Sequence, residues 1–413
     1  MENSRCYFVI DMKSFYASVE CAERGLDPLK AKLVVADSER TERTVCLAVS
    51  PALKKLGVEN RCRLYEIPKN LSFIIAKPRM KKYIEYCCKI YSLYLNYFSD
   101  EDIHVYSIDE CFIDATDYLK IYKITPQNLA LKLVEEINKN IKIPATVGIG
   151  TNLYLAKIAL DIIAKNAPNQ IGYLNEQEFK DKLWFHEPLK DFWGISDGIS
   201  KRLKKYGITN MIGITKIDEN KLYKEFGINA ELLIDHAYGL ESCTMQDIKN
   251  YRSKNKSVSS SQILPRNYNY LEAKVILNEM VLQMCYRLIK ENCVAKGITI
   301  NLGYNNWQNA KGTKMFKVKT NLFSKIQPIA SEIYNKIIDS LNFIRKISIS
   351  FGGVEKAKYI QSDIFSNLNK DDKEKVLMNT ILQIKEQFGE NSIMKAIDYT
   401  ESATQRERNT YIG

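Results

Sequence analysis

The chain has 413 residues, of which 45% are hydrophobic and 26% charged, with a formal net charge of +11. Such a length accommodates about two to four domains with sizeable cores. No apolar run approaches the roughly 18 to 20 residues of a membrane span, and Met1-Glu2-Asn3-Ser4-Arg5-Cys6 has no apolar export segment, so a cytoplasmic protein without membrane contact is expected. The ten cysteines are scattered without a C-x-x-C pair, which points to reduced core residues rather than a disulfide or zinc framework.

The first apolar stretch, Tyr7-Phe8-Val9-Ile10-Asp11-Met12, reads as a strand running into a helix from Ser14 to Glu23, with Ser14 at the N-cap. Two short strand-like runs follow, Ala31 to Ala36 and Thr44 to Val49. Ser50 to Gly57 then reads as a short helix with Pro51 in its first position and Gly57 closing it. Lys54 and Lys55 on that helix read either as a solvated face or as a holder of a triphosphate.

A helix-like segment from Arg79 to Phe98 leads to Val105-Tyr106-Ser107-Ile108-Asp109-Glu110-Cys111-Phe112-Ile113-Asp114. Strands do not usually place adjacent carboxylates between apolar residues for stability. Taken alone, Asp109-Glu110 reads as the acidic tip of a hairpin. A further helix (Pro126 to Asn140), a strand (Pro144 to Gly150) and a helix from about Leu153 to Lys165 follow, the last capped by Thr151 or Asn152. Lys157, Asp161 and Lys165 recur every four residues on it, by default a solvated polar stripe.

With residues 14 to 77 set aside, the order is strand, helix, strand, strand, helix, strand, the split-βαβ pattern. A right-handed crossover makes its first two strands parallel and the hairpin reverses direction, so the first and third strands lie side by side and antiparallel. The end of the first strand then meets the start of the third, and Asp11 is predicted beside Asp109 and Glu110. Three carboxylates so close require a cation, and hard oxygen donors suit Mg2+. Two such ions about 3.5 to 4 Å apart are the usual device for in-line phosphoryl transfer.

Downstream, Asp191 to Leu203 suggests a hairpin between helices, and Gly239 to Lys256 is polar with a basic end. Strand, helix, strand, strand, helix, strand then recurs from Ser257 to Phe351, with Lys311, Lys314, Lys317 and Lys319 near its hairpin in place of acids. Lys249 to Thr320 holds 13 Lys or Arg against three acids, which suggests a polyanionic partner or simply a basic surface. Asp371 to Gln387 reads as a last helix.

Ile10 to Glu20, Ser107-Ile108-Asp109-Glu110, and Gly148-Ile149-Gly150 through Ala156-Lys157-Ile158-Ala159 together resemble the Y-family of translesion DNA polymerases, from about Tyr7 to Phe365. The resemblance implies an α+β fold in the shape of a right hand: a split-βαβ palm (1–13 and 78–166), fingers (14–77), a helical thumb with a helix-hairpin-helix (167–245), a linker (246–256), a second split-βαβ unit or little finger (257–355), and a C-terminal tail (356–413). It makes Asp11, Asp109 and Glu110 the catalytic carboxylates and, with the backbone carbonyl of Met12, the ligands of two Mg2+ ions. Tyr16 matches the family's steric gate against a ribose 2′-hydroxyl, Phe15 packs beneath the incoming nucleotide, and Lys54 and Lys157 match triphosphate contacts. DNA contacts fall on Gly194, Ile195 and Gly198 of the hairpin and on Lys314, Lys317 and Lys319.

Gln361-Ser362-Asp363-Ile364-Phe365 resembles the pentapeptide that docks bacterial polymerases on the sliding clamp, through Gln361, Ile364 and Phe365. The DinB-like branch resembles Y-x-x-R at positions 51 and 54, where this chain has Pro51 and Lys54. That removes a phenolic donor and a bidentate fork and points to the UmuC-like branch. The implied function is error-prone, DNA-directed addition of deoxynucleotides to a primer opposite damaged template, in DNA repair and SOS-type damage tolerance. Its partners would be primed template DNA, deoxynucleoside triphosphates, a sliding clamp and accessory subunits. Two other readings are a catalytically silent DNA-binding scaffold of the same shape and a palm-type nucleotide cyclase.

Overall fold

In the computed structural model, which describes residues 5–37, 43–253, 256–357 and 368–410, the strand β1 (Tyr7–Met12) lies at the centre of a five-stranded sheet. The chain divides into two units, Met1–Tyr251 and Arg252–Gly413. After β1 the first unit runs α1 (Phe15–Glu23), β2 (Leu33–Val35), β3 (Ala48–Val49), α2 (Pro51–Lys55), β4 (Ile74–Ala76), α3 (Met80–Tyr94), β5 (Ile103–Val105), β6 (Glu110–Asp114), α4 (Thr116–Tyr122), α5 (Pro126–Ile141), β7 (Ala145–Gly150), α6 (Leu153–Ile158) and β8 (Ile171–Leu174). The sheet order is β5-β6-β1-β7-β8, with β1 antiparallel to both neighbours and Asp11 directly opposite Glu110. This is the split-βαβ sheet expected from the element order, extended by β8 parallel to β7.

Alternation along the strands decides what each face meets. Phe8, Ile10, Met12, Cys111 and Ile113 pack with Tyr83 and Ile90 of α3 and with Leu129, Leu133 and Ile137 of α5. Tyr7, Val9 and Phe112 point the other way, to Leu153, Ala156 and Leu160. Asp11 and Glu110 continue this second row, so both carboxylates emerge on the side covered by α6.

That helix lies against bare backbone. A Cβ on Gly148 would stand 2.2 Å from the Ala156 carbonyl oxygen, one on Gly150 2.1 Å from the Ala156 nitrogen, and one on Gly172 2.5 Å from the Ala159 oxygen. The helical run also changes pitch: α6 passes into a π turn at Ala159–Ile163 and a 3-10 turn at Ala164–Asn166, the kind of irregularity that recurs at functional sites. Asn152 caps α6 by accepting from the Leu155 N–H (2.8 Å), and its amide donates to the Gly239 carbonyl (2.9 Å).

Residues of the expected fingers form a small sheet, order β3-β2-β4, over a core that includes Val34, Val49, Leu53 and Ile67. Pro51 opens α2, and Gly57 follows it at φ 86°, as the sequence predicts. Five short helices come next: α7 (Glu176–Leu183), α8 (Asp197–Lys204), α9 (Met211–Lys216), α10 (Glu219–Phe226) and α11 (Asn229–Tyr238), around Phe179, Phe192, Leu203 and Met211. Part of the stretch expected to be linker is instead helical: α12 (Met245–Asn250) packs Met245 against Tyr7, Val9 and Phe112.

The second unit holds β9 (Ser257–Tyr268), α13 (Tyr270–Lys290), β10 (Cys293–Tyr304), β11 (Asn309–Thr320), α14 (Phe323–Ile337), β12 (Ile344–Gly352), β13 (Glu355–Lys356), α15 (Leu368–Phe388) and α16 (Gln405–Arg408). Its sheet order is β11-β10-β12-β9, all antiparallel. Both βαβ units are split, as in the first sheet, but the central pair is the second and fourth strands rather than the first and third. Repeated element order therefore does not repeat strand order. Residues 368–410, expected as a tail, pack on this unit. Met378 enters its core, and buried Glu279 accepts from the backbone N–H groups of Thr404 and Gln405. Among the described residues no helix is long and apolar enough to cross a membrane.

The glycine seam can be tested by thermal melting. Gly150→Ala should destabilise the chain by about 2 kcal/mol or more, since an added methyl forces backbone apart. Gly198→Ala, whose Cβ would find its nearest atom at 3.8 Å, should be neutral or slightly stabilising.

Candidate active site

The carboxylates meet at one end of the first sheet. Asp11 ends the second row of β1, Glu110 opens β6 opposite it, and Asp109 stands in the turn before, its carbonyl accepting from the Met12 N–H at 3.0 Å. Asp109 Oδ1 accepts from Ser107 Oγ at 2.6 Å. The predicted adjacency of positions 11, 109 and 110 is therefore present in the backbone.

Above them the polar stripe of the α6 region turns inward at Lys157, is half-buried at Asp161 and reaches solvent at Lys165. Lys157, only 6% exposed, places Nζ 2.8 Å from Glu110 Oε1 and 2.9 Å from Oε2, with Oε1 off hydrogen-bonding geometry. The same Nζ is 3.2 Å from Asp161 Oδ2, and Lys165 Nζ is 2.7 Å from Asp161 Oδ1 and 3.8 Å from Asp11 Oδ2. Charges thus alternate in the order Glu110, Lys157, Asp161, Lys165, Asp11. The default expectation of a solvated i,i+4 network holds at the exposed Lys165 end and fails at Lys157, where the glycine seam presses the helix onto the sheet.

Burial sets the electrostatics. Desolvation pushes the Asp11 carboxyl up to about 7, with the neighbouring charges of Asp109 and Glu110 adding to it and Lys165 opposing it. Glu110 is also raised by burial, against the attraction of Lys157. Lys54 and Lys13 are both lowered, chiefly by burial, while Asp11 pulls each the other way. Lys13 and Lys165 thus join Lys54 around Asp11, two basic groups the sequence reading does not assign. The signals were available: Lys13 lies two residues past Asp11, and Lys165 shares the stripe of Lys157.

Among the described residues no three His, Cys, Asp or Glu side chains gather closely enough to form a ready-made metal cage. Ammonium groups stand among the carboxylates instead. The donors nevertheless fit a hard divalent cation: oxygen atoms only, with the Asp11 and Glu110 carboxyls raised by burial and so in need of compensating charge.

Beside this site Tyr16 rests its ring on Tyr83, centroids 4.6 Å apart at 34°, and on Phe15 at 5.7 Å. Phe15 itself is a core residue. The turn between β1 and α1 is tight: Ser14 occupies the N-cap in the left-handed region (φ 47°, ψ 48°) and makes no side-chain cap bond, an unusual conformation for a residue other than glycine.

Gly194 (φ 89°) and Gly198 are exposed at the start of α8, whereas Ile195 is buried beneath them. On β11, Lys317 is exposed and Lys319 pairs with Glu355 at 2.6 Å. Lys314 lies opposite the core residue Ile298 and pairs with Glu332 of α14, so it sits on the helix-covered side rather than with the other lysines. The face turned away from α13 and α14 carries rows that the sequence reading does not single out. Ser259, Ser350, Thr299 and Thr313 align across four strands, and Ser261, Ser348, Asn301 and Lys311 form the next row. Hydroxyl pairs close at 2.8 Å (Ser261, Ser348) and 2.9 Å (Thr299, Thr313). Their signal is Ser at alternate positions, 257, 259, 261 and 348, 350. Gln361, Ile364 and Phe365 lie outside the described residues.

Comparison with known proteins agrees with this arrangement. Residues 10–161 match the model of the impB/mucB/samB family, and residues 255–364 match that family's C-terminal domain. A protein of Bacillus subtilis named for UV-damage repair, UvrX, is 30% identical over 97% of this chain and 94% of its own length. DNA polymerase IV 2 of the same organism is 29% identical over 100% of this chain and 99% of its own, and DNA polymerase IV of Clostridium acetobutylicum is 25% identical over 95% and 98%. Among solved structures, a Y-family DNA polymerase chimera of Dbh and Dpo4 superposes with a TM-score of 0.67 at 24% identity, covering 85% of this chain and 99% of its own, which supports the fold. The chain belongs to the impB/mucB/samB family of Y-family translesion DNA polymerases.

Proposed function

We propose that this chain extends a primer on damaged template DNA with deoxynucleotides, using two Mg2+ ions held by Asp11, Asp109, Glu110 and the carbonyl of Met12. The observation that carries the reading is the pairing of Asp11 with Glu110 across β1 and β6, bordered by Lys13, Lys54, Lys157 and Lys165. Magnesium, when bound, supplies the positive charge that acidifies the primer 3′-hydroxyl and stabilises the departing pyrophosphate. Lys157 and Lys165, which neutralise the carboxylates in its place, are then free to turn to the triphosphate, and Lys54 and Lys13 reach it from the other side of Asp11. Each ammonium group meets phosphate as a point charge.

In this reading Tyr16, close enough to Asp109 to feel its charge, supplies the ring that a 2′-hydroxyl would meet. In the second unit, the hydroxyl rows together with Lys311, Lys317 and the exposed Lys346, two positions before Ser348 on β12 and so on the same face, suit a phosphodiester backbone, which needs donors and positive charge but no base readout. The exposed backbone at Gly194 and Gly198 suits a phosphate in the same way. The names of the relatives, one for UV-damage repair and others for DNA polymerase IV, support a role in damage tolerance. Docking on a sliding clamp through Gln361, Ile364 and Phe365, damage-induced expression and any accessory subunits belong to the same proposal. Neither a silent scaffold nor a nucleotide cyclase has an observation in its favour, given the intact acids and the basic second sheet.

Asp109→Ala should reduce primer extension by at least about a hundredfold while gel-shift affinity for primed DNA stays close to the parent's. Tyr16→Ala should raise incorporation of ribonucleotides relative to deoxynucleotides. Protons and Mg2+ compete for Asp11, whose folded-state value of about 7 exceeds its ordinary 3.8. For a carboxyl shifted upward, ionisation opposes folding, so the Mg2+-free chain loses stability as pH rises from about 4 through about 7. Added Mg2+ should therefore raise the melting temperature more at about pH 8 than at about pH 6, measured without DNA or nucleotide.

A further inference from the structure

Tyr16 does not hold its position alone. It and Glu20 are four residues apart on α1 and so share a face, and across from them Arg79 and Tyr83, also four apart, share the first turn of α3. Tyr83 touches both members of the α1 pair: its ring lies on that of Tyr16 at 4.6 Å, and its hydroxyl donates to Glu20 Oε1 at 2.9 Å.

Glu20 is a fully buried carboxylate at 0% exposure, and its hydrogen-bonding capacity is taken up. Oε1 accepts from Arg79 Nε (2.9 Å) as well as from Tyr83, and Oε2 accepts from Arg79 Nη2 (2.8 Å) and from Arg24. The cluster touches none of the metal-site carboxylates. For adhesion alone, apolar side chains would join α1 to α3 as well as a buried ion cluster does. What a hydrogen-bonded cluster adds is direction. A phenol anchored by its hydroxyl has its ring plane confined, and an aromatic neighbour packed against that ring at a fixed tilt, here 34°, inherits the constraint.

We propose that Tyr83, tethered through its hydroxyl by Glu20 and Arg79, is a positioning residue for sugar selection, fixing the tilt at which the Tyr16 ring meets the incoming sugar. The inference rests on the role proposed for Tyr16 above. It assigns sugar discrimination to a tilted aromatic pair with a polar anchor rather than to a single ring.

The test is single-nucleotide extension, with kcat/KM measured for a deoxynucleotide and the matching ribonucleotide in the parent, Tyr16→Ala, Tyr83→Phe, Tyr83→Leu and the Tyr16→Ala/Tyr83→Leu double variant. Tyr83→Leu should lower discrimination by about two- to tenfold, the range an aromatic pair supports. Tyr83→Phe, which keeps the ring and loses the tether, should lower it less. Because Tyr83 acts through Tyr16, Tyr83→Leu should change nothing further once Tyr16 is Ala. Tyr83 variants that slow both nucleotides equally, or whose effect multiplies with that of Tyr16→Ala, would overturn the proposal while leaving the gate intact. Should Tyr16→Ala itself leave discrimination unchanged, the gate reading falls, and this one with it. If Tyr83→Leu does not fold, Tyr83→Phe decides, since both Glu20 oxygens keep Arg79 in that variant; an unchanged ratio there overturns the tether.

Discussion

Negative charge held out of water at the end of a sheet is the condition that everything else in the first unit answers to. Asp11 and Glu110 are brought side by side by backbone pairing, which neither can escape without breaking β1 from β6. Burial raises both carboxyls, so the site is stable only with positive charge close by. In the metal-free chain that charge is supplied by Lys157 and Lys165. The same two lysines border the acids on which the proposed chemistry rests, so one arrangement meets the demands of folding and those of the function proposed above.

Delivery of those lysines depends on close approach of a helix to the sheet. Gly148, Gly150 and Gly172 remove the side-chain layer that normally separates the two; the approach is tightest at Ala156 of α6, and the π turn at Ala159–Ile163 follows directly. Asp161, within that turn, binds both lysines at once. It sets their spacing as the carboxylates below set their depth.

Much of this could be read from residue order. The alternation of Tyr7 to Met12, the Asp109-Glu110 pair and the split-βαβ element order were enough to put Asp11 beside Glu110, because crossover handedness leaves few topologies. Pro51 and Gly57 marked α2 because each has a backbone reason to be there. The burial of Lys157 against Glu110 and the approach of Lys165 to Asp11 were not legible, since a four-residue spacing says that side chains share a face but not which neighbour that face meets. The strand order of the second unit was hidden for a related reason: β9 through β12 repeat an element order compatible with two central pairs, and only tertiary packing chooses. Residues 368–410 look like a polar appendage because Glu279, which holds them, lies some 125 positions away. The departure at Pro51 and Lys54 suggested a UmuC-like branch, whereas the relatives reported above include two named DNA polymerase IV.

Where a helix rests on strands with no side chains between them, nothing can be repacked. An ordinary core absorbs a substitution by rotamer changes and small shifts that spread through neighbouring layers. The contact at Gly148, Gly150 and Gly172 has no such compliance, so the distance from ammonium to carboxylate is insulated from drift in the apolar cores on either side. Sequence change can accumulate over most of the first unit without retuning its chemistry, and the three positions that could retune it admit almost no alternative residue.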